Sequence, residues 1–206
     1  MGSEMCIRDS VSGDNASVRV GNRGAIAAPD EGNSAILATG NNLDVDNQGD
    51  ISGAFNGISS AGNNFTLRNR NNGTISSDSR AVDITDGDNN TVVNSGTILG
   101  TGNQRNGTLY IDGTVDSTNI DNQNNGVIDA GAGNTGDGIS VQVGAEGDLI
   151  NQSINITNRG TIAGRGQAEF AAGEGRLTAN GSSGVRFFNG SGADQATVTG
   201  LSLIHI

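Results

Sequence analysis

Seven aspartates come nearest to a catalytic set: Asp44, Asp46, Asp83, Asp86, Asp88, Asp112 and Asp116. Paired carboxylates on one face of neighbouring coils or strands are what glycoside cleavage requires, and their separation sets the stereochemical outcome. Here they are scattered among Gly, Asn and Ser, which is the setting of a solvated turn face. Lyase chemistry also wants a base beside the acids, and the Arg residues are dispersed. Calcium needs six to eight oxygens. Gly190–Asp194 resembles half of a Gly-rich calcium repeat but occurs once, whereas that site needs consecutive turns; Asp86–Asn90 lacks the Glu that closes a helix-loop-helix calcium loop and is read as a coil turn.

The single Cys (Cys6) and the single His (His205) lie in segments of different character from the rest. Residues 2–10 and 201–206 read as translations of DNA whose strands are complementary to one another, resembling the transposon adapter used to prepare sequencing libraries. The expected organisation is therefore an adapter-derived segment 1–10, a natural segment 11–200 and an adapter-derived segment 201–206. Segment 11–200 has no Cys, His, Met, Lys or Trp, which leaves no hydrolytic triad and no zinc site built on His or Cys. Setting aside Glu4, Asp9 and Arg8 leaves a charge near −10, with every cation an Arg. An acidic chain without a basic cluster is a poor partner for nucleic acid. No apolar run approaches the ~18 residues that would span a bilayer, and no cofactor is expected.

Gly, Pro, Ser and Gln make up 61 of 206 residues, which by composition alone sits at the threshold of disorder. A periodic apolar pattern argues the other way. The pentapeptide Asn-x-Gly-x-Ile occurs six times. The copies are Asn22, Gly24 and Ile26; Asn47, Gly49 and Ile51; Asn71, Gly73 and Ile75; Asn94, Gly96 and Ile98; Asn124, Gly126 and Ile128; and Asn158, Gly160 and Ile162. Their glycines are 25, 24, 23, 30 and 34 residues apart. Short alternating runs precede the pentapeptides (Val18–Val20, Leu43–Val45, Phe65–Leu67, Ile154–Ile156). Others follow them, among them Ala35-Ile36, Gly57-Ile58, Ala81–Ile84, Gly107–Ile111, Gly138–Val141 and Gly184–Phe187. Period-two alternation predicts half-buried strands, and the Gly, Asn and Asp clusters between them predict turns. No stretch carries a helical period; one helical turn is expected at Gln167–Ala171.

Three short strands per ~24 residues predict an all-β fold, a parallel β-helix of six or seven coils. Stacking then sets each Ile on the next at about 4.8 Å. Gly is expected to supply a positive φ at a corner. Asn is expected to bond its own turn or to stack on the Asn of the next coil. The uneven spacing places inserted loops at Thr101–Arg105, Asp112–Thr118, Gly131–Gly136 and Arg165–Asn180.

Asn71-Asn-Gly-Thr-Ile75, Asn94-Ser-Gly-Thr-Ile98 and Asn158-Arg-Gly-Thr-Ile162, each followed by a second strand, are similar to the passenger regions of bacterial autotransporters. The resemblance covers nearly all of residues 18–199. It implies a right-handed β-helix exported through the outer membrane by a C-terminal β-barrel translocator that this sequence does not contain. It also implies a cell-surface or extracellular location and a non-catalytic structural or adhesive stalk with a surface ligand. A carbohydrate-active β-helix fragment and a calcium-dependent repeat exoprotein are the alternatives. Unpaired parallel strands at both ends of such a fragment predict end-to-end self-association.

Overall fold

The computed structural model describes residues 9–11, 13–101, 107–131, 136–143, 152–164 and 184–189. The loops expected at Thr101–Arg105, Gly131–Gly136 and Arg165–Asn180 and the helical turn at Gln167–Ala171 fall wholly or largely outside these residues.

The described residues form 19 strands in three parallel sheets. Sheet A is β1 (Asp9–Val11), β4 (Ser34–Ala38), β7 (Asn56–Ser60), β10 (Arg80–Ile84), β13 (Leu109–Ile111), β16 (Ile139–Val143) and β19 (Val185–Asn189). Sheet B is β2 (Ser17–Val20), β5 (Asp44–Asn47), β8 (Thr66–Asn69), β11 (Asn90–Asn94), β14 (Ser117–Asn122) and β17 (Ser153–Asn158). Sheet C is β3 (Ala25–Ala28), β6 (Asp50–Gly53), β9 (Thr74–Ser77), β12 (Thr97–Gly100), β15 (Val127–Asp129) and β18 (Thr161–Ala163). The chain visits A, B and C in turn and repeats, so every strand pairs with the equivalent strand one coil away. This is a parallel β-helix, as the period predicts. Six coil steps along sheet A make a rod of about 30 Å at the usual parallel-strand spacing.

The reason lies in the alternating residues. Ile26, Ile51, Ile75, Ile98, Ile128 and Ile162 are direct partners from coil to coil in sheet C. Val18, Val45, Leu67, Val92, Ile120 and Ile156 do the same in sheet B. Ile36, Ile58, Val82, Leu109 and Ile139 do so in sheet A. The three columns meet in one apolar core. Each such side chain contributes roughly 1.5–3 kcal/mol when fully buried, and only a neighbouring coil can bury it.

Two details differ from the spacing argument. Ser117 and Thr118 are not loop: after a turn at Asp112, closed by Val115 N–H on the Asp112 carbonyl (3.2 Å), β14 begins at Ser117. Thr118 pairs with Asn90, and both it and Val115 are fully buried. At the other end, Asp9, Ser10 and Val11 extend sheet A by pairing with Ile36, Leu37 and Ala38.

Candidate functional site

The repeat residues gather at the corner between sheets B and C. Asparagines, buried at Asn47, Asn69, Asn94 and Asn122 and exposed at the last, Asn158, stack there as a ladder of side-chain amides. Asn47 Nδ2 donates to Asn69 Oδ1 (2.9 Å), Asn69 to Asn94 (2.9 Å), Asn94 to Asn122 (2.8 Å) and Asn122 to Asn158 (2.8 Å). Each Nδ2 also reaches a carbonyl of the following coil: Thr74, Thr97, Val127 and Thr161 respectively. The ladder therefore has a direction, every amide giving toward the C-terminal end.

Of the pentapeptide asparagines, Asn47, Asn94 and Asn158 stand in this ladder; Asn22, Asn71 and Asn124 do not. In their coils the ladder register falls two residues earlier, at Val20, Asn69 and Asn122. The corner thus alternates along the rod. Two residues separate the register position from sheet C in the coils of Asn47, Asn94 and Asn158. Four residues do so after Val20, Asn69 and Asn122. Each long corner is a β-turn closed by its glycine: Gly24 N–H on Gly21 (2.7 Å), Gly73 on Arg70 (2.7 Å) and Gly126 on Gln123 (2.8 Å).

The six pentapeptide glycines, expected to supply a positive φ, do not: among the described glycines that conformation belongs to Gly32, Gly87 and Gly131. Close approach of the coils is what requires glycine here. A Cβ on Gly49 would lie 2.2 Å from the Gly24 carbonyl oxygen, on Gly96 2.3 Å from those of Arg70 and Gly73, and on Gly160 2.2 Å from that of Gly126. At Gly126 and Gly73 it would meet the ladder amides Asn122 and Asn69, at 2.2 and 2.3 Å.

A second ladder, at the corner between sheets A and B, involves no pentapeptide residue and lies outside the expectations from the repeat. Asn15, Asn42, Asn64 and Asn89 all take left-handed φ, between 57° and 61°. That conformation is available to Asn because its short polar side chain bonds locally. Asn42 Nδ2 donates to Asn15 Oδ1 (3.0 Å) and Asn64 to Asn42 (2.8 Å). The residues before them, Asp14, Asn41, Asn63 and Asp88, each accept a backbone N–H from the next coil. The sequence signal for it is Gly-Asp/Asn-Asn, starting at residues 13, 40, 62 and 87.

The seven aspartates fall in three places. Asp86, Asp88 and Asp116 belong to the corner just described. Asp44 and Asp46 lie on the outer face of sheet B in inter-coil ion pairs. Arg68 binds Asp44, and Asp46 takes Arg70 (2.7 Å) and Arg19 (3.7 Å). The Arg70 hydrogen bond holds the Asp46 carboxyl below its ordinary range, and Asp46 in return raises Arg70. Arg159 and Asp121 repeat the pattern three coils on (2.7 Å), beside a shallow cleft lined by Thr91, Asn119, Asn155 and Thr157.

Asp83 occupies the remaining place, the outer face of sheet A, where a polar cluster is buried, and Asp112 borders that cluster from the turn after β13. Asp83, 4% exposed, accepts from Asn56 Nδ2 (3.1 Å) on one oxygen and from Arg80 (2.9 Å) on the other. The Arg80 guanidinium lies over the Tyr110 ring, 3.6 Å from its centroid. The Tyr110 hydroxyl donates to Gln142 and reaches Asp112 at 3.4 Å. One coil further on, Asp137 accepts from Ser140 (2.9 Å) and faces Arg186 (3.8 Å). Burial pushes the Asp83 carboxyl up against the opposing pull of Arg80 and Asn56. Burial and then Asp112 push the Tyr110 phenol up to about 12. This face can hold a proton and a cation in low dielectric, but its groups are turned on one another. Among the described residues no three acidic, His or Cys side chains are placed to hold a metal ion.

The chain matches no family model, no curated protein and no solved structure.

Proposed function

We propose that residues 11–200 are part of the passenger of a bacterial autotransporter, exported to the cell surface and acting there as a non-catalytic structural or adhesive stalk. One observation carries this reading. The asparagine amides that recur coil after coil, and the Arg–Asp pairs beside them on sheet B, are consumed between coils. A repeat whose polar groups bind its own next copy makes length, and length is what a stalk supplies. The resemblance of Asn-x-Gly-Thr-Ile at residues 71–75, 94–98 and 158–162 to passenger repeats adds the export route and the barrel partner. The ligand is a surface component: a host or neighbouring cell, or a polysaccharide.

The test is antibody labelling of this segment on intact cells that produce the whole protein, before and after external protease. Labelling of intact cells that protease removes is the expected result. Labelling only after permeabilisation would overturn the export reading. Beads coated with the purified chain, tested for retention on cells or polysaccharide, then separate an adhesive stalk from a purely structural one.

A further inference from the structure

Three Asn-Gly pairs lie wholly within the described residues, and the fold treats each differently. Asn56-Gly57 is inside β7, buried on both residues, with the Asn56 amide committed to Asp83. Asn72-Gly73 and Asn125-Gly126 occupy the last two positions of long corners, and both asparagines are exposed. Asn72 Nδ2 donates to Asn22 (3.4 Å). Asn125 makes no side-chain hydrogen bond to any described residue.

We propose that Asn125, and more slowly Asn72, are sites of spontaneous backbone-assisted deamidation. The Gly126 nitrogen, after losing its proton to solvent, attacks the Asn125 side-chain carbonyl carbon. A C–N bond forms, ammonia leaves and a five-membered succinimide closes. Water then adds to one of the two ring carbonyls and reopens the ring as aspartate or as isoaspartate, in which the main chain runs through the side-chain methylene. Glycine at the second position leaves the attacking nitrogen unhindered, and an exposed corner lets the side chain rotate onto it. In both corners the attacking N–H must first leave its turn carbonyl, Gln123 for Gly126 (2.8 Å) and Arg70 for Gly73 (2.7 Å), so that barrier is common to the two. What differs is the side chain: Asn72 is tied to Asn22 and Asn125 is not. Strand pairing and burial deny Asn56 both freedoms.

The product matters because the corner has no slack. Gly126 Cα sits against the Asn122 amide and the Asn94 carbonyl, so closely that even a methyl group would overlap them. Isoaspartate lengthens the main chain immediately before that contact, pushing Gly126 off the ladder and putting a new carboxylate in an already acidic chain.

The experiment is incubation of the folded chain in mildly alkaline buffer, with peptide mapping by mass spectrometry and enzymatic detection of isoaspartate, beside the same chain in denaturant. In the folded chain the expected order is Asn125 several-fold above Asn72, with Asn56 at background; in denaturant the three converge. Substitution of Asn22→Ala raises Asn72 to the rate of Asn125. If Asn125 reacts no faster than Asn56 in the folded chain while both react in denaturant, the assignment is overturned. An Asn22→Ala chain with Asn72 unchanged overturns the ranking.

Discussion

Asn72 donates a side-chain hydrogen bond to Asn22, fifty residues earlier and 3.4 Å away, passing over the whole intervening coil. The contact exists because the coil between them turns its corner in two residues, whereas the coils of Asn22 and Asn72 use four. Asparagines with the same place in the pentapeptide therefore do two different jobs.

Substitution separates those jobs. Asn94→Ala removes the donor to Asn122 and Val127 and the acceptor for Asn69, in a fully buried position. Leaving a buried amide partner unsatisfied costs about 1–3 kcal/mol, so the urea midpoint should fall clearly. Asn71→Ala, at an exposed corner, should stay within about 0.5 kcal/mol of the parent. Equal losses would mean the ladder is not where the stability lies.

Gly96→Ala is expected to destabilise by about 1–3 kcal/mol, the usual range for forcing an extra carbon into a packed interior. Its Cβ would lie 2.3 Å from two backbone oxygens of the preceding coil, and neither can move without breaking the corner. Gly21→Ala meets nothing within 4 Å and is the neutral control in the same thermal melts.

Tyr110 is the only tyrosine and the chain has no tryptophan, so ultraviolet titration reads one group. In the folded chain its absorbance change should centre near 12, against about 10 in denaturant. Because the folded value is the raised one, the stabilisation is complete below the unfolded value and is lost as pH climbs through the folded value. A folded midpoint near 10 would contradict the burial of this phenol.

Asp83 gives the same sign at the acid end. Its folded carboxyl is raised from the ordinary 3.8 by burial, so the native state holds the proton longer than the unfolded chain. Stability measured relative to Asp83→Asn should therefore decline as pH rises from below that value, then level off. Asp46, lowered chiefly by its Arg70 hydrogen bond, has the opposite sign. The parent should lose ground to Asp46→Asn as pH falls below the ordinary carboxylate range, weakly because the pair faces solvent.

The coil was legible in the sequence because an Ile follows two residues after each Asn-x-Gly of the repeat and because burial enforces a strict column. The asparagine ladder was half legible. In an Asn-rich chain, moving the register by two residues from Asn71 to Asn69, or from Asn124 to Asn122, changes no residue type and so leaves no trace. The glycine column was visible but for another reason than φ: coil-to-coil distance is a property of the stack, and no single corner encodes it. The left-handed column Asn15, Asn42, Asn64 and Asn89 was written plainly as Gly-Asp/Asn-Asn, with a period as regular as that of the pentapeptide. The cluster around Asp83 was not legible. A strand buried on both faces and one buried on a single face show similar alternation, and nothing local announces that Arg80 will lie over Tyr110.

The alternation of long and short corners gives the rod a phase. Its smallest self-consistent module is a pair of coils, so a lineage that gained or lost a single coil would set two corners of equal length directly against each other and break the rhythm that lets Asn72 find Asn22. Tandem growth of this repeat should proceed in even steps, and a chimera spliced between coils of matching parity should tolerate the join where one of mismatched parity does not.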